Sequence, residues 1–211
     1  NAILCAASVF GLDIFVDELE LYREKIEYND SQFLPVLQKY WGNTAHFRPL
    51  LFYKDPDRSQ ETEVITQGQI IAEIVDQCEA ANSGEPFSNV FITAPTGSGK
   101  SILFQIPAVY MAEKYNLVTI VVSPLIALMN DQVDQLRREH GISIAACINS
   151  SMSIEERSDV ISQIHTGQKS LLYLAPELLL TTHLQSFLGG RQVGMVVIDE
   201  AHTVTSWGRD F

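Results

Sequence analysis

An α/β protein with a parallel sheet covered by helices on both faces is the fold class this sequence predicts, and three observations predict it. Strand-like apolar runs alternate with helical patterns through residues 86–211. Those runs are continuous rather than alternating apolar and polar, as strands buried on both faces require. One run leads directly into a glycine-rich turn and a helix, in the stretch NVFITAPTGSGKS from Asn89 to Ser101.

Residues 1–85 read as a mostly helical N-terminal extension. Phe15, Leu19, Leu21, Tyr22 and Ile26 mark one amphipathic helix, and Phe33, Leu34, Val36, Leu37 and Trp41 mark a second. The string YKDPDRS, Tyr53–Ser59, breaks the pattern as a turn or surface loop. A third helix, Thr66–Ala80, places Ile70, Ile71, Ile74 and Val75 on one face, and Asn82–Pro86 closes it with a loop. From residue 86 onward the predicted strands are Val90–Thr93, Leu117–Val122, Ser143–Ile148, Ser170–Leu174 and Val193–Ile198. The helices between them are Ser101–Lys114, Ile126–Glu139, Ser153–His165 and Pro176–Leu188. Ser153 followed by Glu156 is a capping-box start. Pro107 falls inside a helix and predicts a kink or local break.

The chain has 211 residues, 46% apolar and 19% charged, the balance of an ordinary globular domain with an appendage. Its net charge of −12 has the wrong sign for a sleeve around nucleic acid. The excess is uneven: residues 61–90 hold six acids and no Lys or Arg, whereas residues 91–211 hold eleven acids and eight bases. Any nucleic-acid contact must therefore be a local stripe. Cys5, Cys78 and Cys147 are odd in number and far apart, which suits buried thiols in a reducing compartment better than a disulfide or zinc framework. The apolar opening Ala2–Leu12 lacks a preceding basic residue and is soon followed by Asp13 and Asp17, so it reads as a buried segment of a cytoplasmic protein. No run approaches the ~20 apolar residues of a membrane span.

Chemistry concentrates in two motifs. Strand, glycine turn, Lys-Ser and helix is the order a phosphate-binding loop requires, although Ala94 stands where its first glycine is expected. Gly97 and Gly99 allow backbone N–H groups to turn toward phosphate oxygens, with Thr96 and Ser98 between and beside them. Lys100 can reach the β and γ phosphates and Ser101 can ligate Mg²⁺, at a helix N-terminus that adds partial positive charge. About 100 residues later, Val196–His202 (VVIDEAH) is an apolar strand ending in two acids and a histidine. If both motifs end neighbouring strands, Asp199 faces the metal across the nucleotide and Glu200 orients or deprotonates the attacking water.

Read together, APTGSGKSILFQIPAV, VVSPLIALMNDQVDQL, AACINSS, LLYLAPELL and DEAHTVTSWGRDF resemble the first motor domain of a superfamily 2 DNA helicase, and within that group the RecQ family. The resemblance covers residues 94–211. It departs from the family at Ala94, at Leu178 where Arg is usual, and at Thr203 and Arg209 in the Trp-Gly-x-Asp-Phe loop, where Arg209 replaces the usual His. The family's adenine-reading motif is imperfect here: LQKYWGNTAHFRPL, Leu37–Leu50, resembles its opening, Leu51 stands in place of a Gln, and Gln67 resembles its ending after an insertion, with Gln69 the alternate. An amide both donates and accepts, as the adenine edge requires.

The resemblance implies a RecA-like, P-loop domain over residues 86–211, cut short at Phe211, that binds ATP and Mg²⁺ and couples hydrolysis to movement on DNA. It implies that Ser123 and Pro124 touch a strand backbone and that His202, Trp207 and Phe211 couple the ATP site to single-stranded or partly duplex DNA, the aromatic rings by stacking on bases. The other class of function left open is a nucleotide-gated remodelling subunit that binds DNA or a partner without unwinding, with acidic residues 1–85 as the partner-docking region. Starting at Asn1 without Met, the sequence reads as a fragment, with an arginine finger expected in a second domain beyond Phe211.

Overall fold

A computed structural model describes residues 32–54, 61–94, 97–181 and 184–201. The predicted helix at Phe15–Ile26, the Asp-Pro-Asp turn, Thr96, and His202 with the whole Thr203–Phe211 loop lie outside these residues.

Helix α1, Leu34–Trp41, carries Pro35 in its first turn, where a missing N–H costs nothing, and is followed by Gly42. Residues 49–66 then depart from the expectation of a mostly helical extension. Strands β1 (Pro49–Tyr53) and β2 (Thr62–Thr66) form an antiparallel hairpin in which Leu50 faces Ile65 and Phe52 faces Glu63. The short PLLFY and TEVIT runs, rich in β-branched and aromatic residues, are the hairpin signal that a helical reading overlooks. Leu50, Phe52 and Ile65 pack on the core, while Leu51 and Tyr53 face outward.

Helix α2, Gln67–Ser83, starts at a capping box in which Thr66 Oγ1 accepts from the Gln69 N–H and the Gln69 side chain accepts from the Thr66 N–H. It stops at Gly84, whose φ of 75° is the left-handed conformation that glycine adopts without strain. Helix α3, Lys100–Tyr115, runs unbroken through Pro107, contrary to the predicted break. Pro107 and its neighbours Leu103–Val109 are buried, and that packing outweighs one lost backbone bond.

The main sheet has strands β3 (Val118–Val122), β4 (Ala145–Ile148), β5 (Leu171–Leu174) and β6 (Val193–Ile198), in the order β4-β5-β3-β6 and all parallel. Every residue of β3 and β5 is buried, as their continuous apolar runs predict. Side chains alternate between two cores: Val121, Leu171, Tyr173 and Met195 face helices α1–α3 and α4 (Ile126–Arg138). Val118, Ile120, Val122 and Leu174 face the other layer. That layer contains α5 (Ile154–His165, capped by the Ser153–Glu156 box), α6 (Pro176–Thr181) and α7 (Leu184–Leu188). The last two fall within the helix predicted from Pro176 to Leu188, on either side of residues 182–183.

The predicted strand at Val90–Thr93 is not formed. No described strand lies beside it, so its backbone has no ladder to join, and Phe91 is 80% exposed. Between this extended stretch and the open edge of β6 runs an apolar cleft of about 620 Å³, lined by Phe91, Val196 and Ile198 and ending at Lys100, Asp199 and Glu200. Among the described residues, no helix is long and apolar enough to cross a membrane.

Candidate nucleotide site

Parallel register brings the functional strand ends to one edge. Val122 pairs with both Leu174 and Ile198, so Ser123, Ala175 and Asp199 emerge side by side. The ladder continues one step further: the Asp199 N–H donates to Val122 O (2.9 Å) and the Ser123 N–H to Leu174 O (3.1 Å).

The glycine turn reaches the same edge. Gly97 (φ 83°) and Gly99 (φ 80°) both hold left-handed backbone, and α3 begins at Lys100 immediately after Gly99. A Cβ on Gly99 would lie 2.7 Å from Gln67 Nε2, so this position needs glycine for conformation and for space. Lys100 Nζ donates to Ala94 O (2.8 Å), a bond that folds the lysine back along the loop. Ser98 Oγ is buried and finds no hydrogen-bond partner among the described residues. A buried hydroxyl without a partner, turned amides and a lysine at a helix N-terminus form a donor set that fits phosphate oxygens.

Across the cleft, Asp199 is half-buried. Burial pushes its carboxyl above the usual aspartate range, the charge of Glu200 adds to this, and the Glu200 N–H and the Lys100 ammonium oppose it. That Asp199 feels Lys100 places the two sequence motifs within electrostatic reach of each other. Glu200 has a φ of 52°, a left-handed conformation uncommon for a residue with a side chain, and its N–H donates to the Asp199 carboxylate at 3.0 Å. Ser101 lies in the first turn of α3. One hydroxyl and one carboxylate, with water and phosphate oxygens completing the shell, suit the hard, octahedral demands of Mg²⁺. No group of three or more His, Cys, Asp or Glu among the described residues could hold a metal.

The interruption between Arg48 and Gln67 closes in space. The Gln67 N–H donates to Arg48 O and the Arg48 N–H donates to Gln67 Oε1, both at 2.9 Å, so the β1–β2 hairpin loops out and its base rejoins. Gln67 is buried, and its Nε2 donates to Ser98 O (3.2 Å) and Gly99 O (3.3 Å). It therefore braces the glycine turn in this conformation, a role that spacing alone did not suggest. Gln69, the alternate, is occupied by the α2 cap.

Ser123 lies at the carboxyl end of β3. Its side chain is 1% exposed and Oγ has no partner among the described residues, while half-buried Pro124 and exposed Leu125 form the surface of that turn. Two residues that the sequence reading missed lie close by. Gln105 is buried on α3 and donates to Gln132 on α4. The available signal was a lone amide inside the apolar run ILFQIPAV.

Comparison with known proteins agrees with this geometry. Residues 67–211 match the DEAD/DEAH box helicase family. The ATP-dependent DNA helicase RecQ of Haemophilus influenzae is 38% identical over 135 residues, 64% of this chain and 21% of that protein. RecQ of Synechocystis is 45% identical over 122 residues (57% of this chain, 24% of that protein), and the ATP-dependent helicase SGS1 of Saccharomyces cerevisiae is 35% identical over 141 (64% and 10%). The chain thus spans about a quarter or less of the length of these relatives. The chain belongs to the DEAD/DEAH box helicase family, and within it is a RecQ-like first motor domain.

Proposed function

We propose that this domain binds ATP with Mg²⁺ and hydrolyses it as part of a DNA-stimulated motor that translocates on or unwinds DNA. The observation that carries the reading is the meeting of Lys100 and the Asp199–Glu200 pair at one end of the cleft, at the carboxyl edge of a parallel sheet.

Lys100 exchanges Ala94 O for phosphate oxygens, and the turned amides around Gly97 and Gly99, with Ser98 Oγ and Thr96, hold the rest of the chain of phosphates. Ser101 and Asp199 hold the metal, which supplies neutralisation of the charge that builds on the phosphates during transfer. Glu200, set by the Asp199 strand end, takes the proton of the attacking water. Gln67 keeps a second lone pair on Oε1 that can accept from the adenine amino group while Nε2 holds the loop. His202, Trp207, Phe211 and the Pro124 turn form the DNA-responsive side, with single-stranded or partly duplex DNA as the substrate; residues 1–85 are available to a protein partner, and the cytoplasm is the proposed compartment. Because no arginine of the described site faces the phosphates, full turnover calls on one from elsewhere in the longer protein.

Glu200→Gln in the full-length protein tests this. It keeps size and hydrogen bonding but removes the base, so ATP affinity should hold while DNA-stimulated turnover falls at least ~100-fold. Turnover equal to the parent's would remove Glu200 from the chemistry, and unchanged ATP affinity in Lys100→Ala would remove the phosphate assignment.

A further inference from the structure

We propose that Gln105 is a positioning residue that ties the phosphate-loop helix to α4, so that nucleotide in the loop sets how α4 and the Pro124–Leu125 turn before it are presented. The inference rests on the functional reading above and names the link between its two halves.

Gln105 lies one helical turn after Ser101, on the same face of α3. It is 5% exposed, and its neighbours Leu103, Phe104, Ile106 and Ala108 are buried and apolar. An amide in such surroundings costs more than a methionine of the same length unless its bonds are satisfied. They are satisfied on two other elements: Nε2 donates to Gln132 Oε1 on α4 at 2.8 Å and to the Tyr173 hydroxyl on β5 at 3.4 Å. Tyr173 is itself buried, and the Phe104 ring meets it edge-on with centroids 6.4 Å apart. Its phenol is held well above the ordinary tyrosine range by burial, and the Asp199 charge adds to the effect. The network thus joins three places: the first turns of α3, strand β5 in the middle of the sheet, and the middle of α4. A hydrogen bond has a short range and a narrow angle, so a shift of the first turns of α3 is passed to Gln132 or breaks the bond. Apolar contacts between the same helices would tolerate sliding.

The experiment uses the full-length protein with Gln105→Met and Gln132→Met, singly and together. Binding of a fluorescent single-stranded oligonucleotide is titrated with and without a non-hydrolysable ATP analogue, and the analogue's own affinity is measured directly. The ratio of the two oligonucleotide affinities is the coupling between sites. In both single variants this ratio should fall to within about twofold of one, the double variant should add nothing further, and analogue affinity should stay within about twofold of the parent's. A lowered melting temperature with the parent's ratio intact makes Gln105 merely structural and overturns the proposal. If Gln105→Met does not fold, half-exposed Gln132→Met decides alone by the same ratio. A parent that couples while both variants couple equally sinks this inference and leaves the function standing; a parent whose oligonucleotide binding ignores the analogue sinks both.

Discussion

Replacing Gly99 with alanine isolates how the phosphate loop is held. Gly97 and Gly99 have nearly the same backbone, φ 83° and 80°, so alanine at either costs about 1–2 kcal/mol for left-handed conformation. Their surroundings differ. Among the described residues nothing lies within 4 Å of a Cβ on Gly97, whereas a Cβ on Gly99 meets Gln67 Nε2 at 2.7 Å. Normally the end of a glutamine would swing aside. Gln67 is buried and fixed at Oε1 by the Arg48 N–H, so displacement breaks its bonds to Ser98 O and Gly99 O and leaves a buried amide unsatisfied, about 1–3 kcal/mol more. Gly99→Ala should therefore destabilise the loop by about 2–5 kcal/mol against about 1–2 for Gly97→Ala. Amide hydrogen exchange across residues 97–103 reads this as opening, each 1.4 kcal/mol being about tenfold in rate. Adding Gln67→Ala to Gly99→Ala removes the clash, so the double variant should cost less than the sum of the singles. Equal exchange in the two glycine variants would refute the claim that Gln67 braces the loop.

Three further outcomes follow from other parts of the fold. Asp199 has a raised carboxyl, so its charge weakens the folded state above that value and the penalty fades as pH falls; Asp199→Asn should match the parent's melting temperature in acid, exceed it near neutral pH, and lose Mg²⁺-dependent turnover. A parent more stable than the variant at neutral pH would contradict the sign. Arg191 donates to the carbonyls of Asn116, Ile164 and Lys169 at the amino ends of the strands, far from the phosphate loop, and Arg191→Ala should cost about 2–3 kcal/mol in denaturant titration with ATP affinity unchanged. Thr66→Ala removes the α2 cap at the base of the hairpin and should cost about 1 kcal/mol, with faster exchange confined to the first turn of α2.

What the sequence by itself determined lies where local rules and burial agree. Continuous apolar runs at residues 117–122 and 170–174 could only be strands covered on both faces, and the Ser153–Glu156 box located the start of α5 to the residue. That Lys100 and Asp199 line one cleft was legible because glycine–lysine–helix and strand–acid contexts are local. Tertiary structure decided the rest. Val90–Thr93 has strand-forming residues but no neighbour to pair with, and a strand is a property of a ladder rather than of a segment. Pro107 stays helical because its burial compensates one missing donor. The insertion between Arg48 and Gln67 looked like a damaged motif, since sequence distance cannot reveal that a hairpin returns the chain to its starting point. Gln105 looked like an interruption of an apolar helix and bridges α4 and β5. Hydrogen-bond partners far apart in sequence leave no periodicity to read, so the amides that join the site were visible only once the chain had folded.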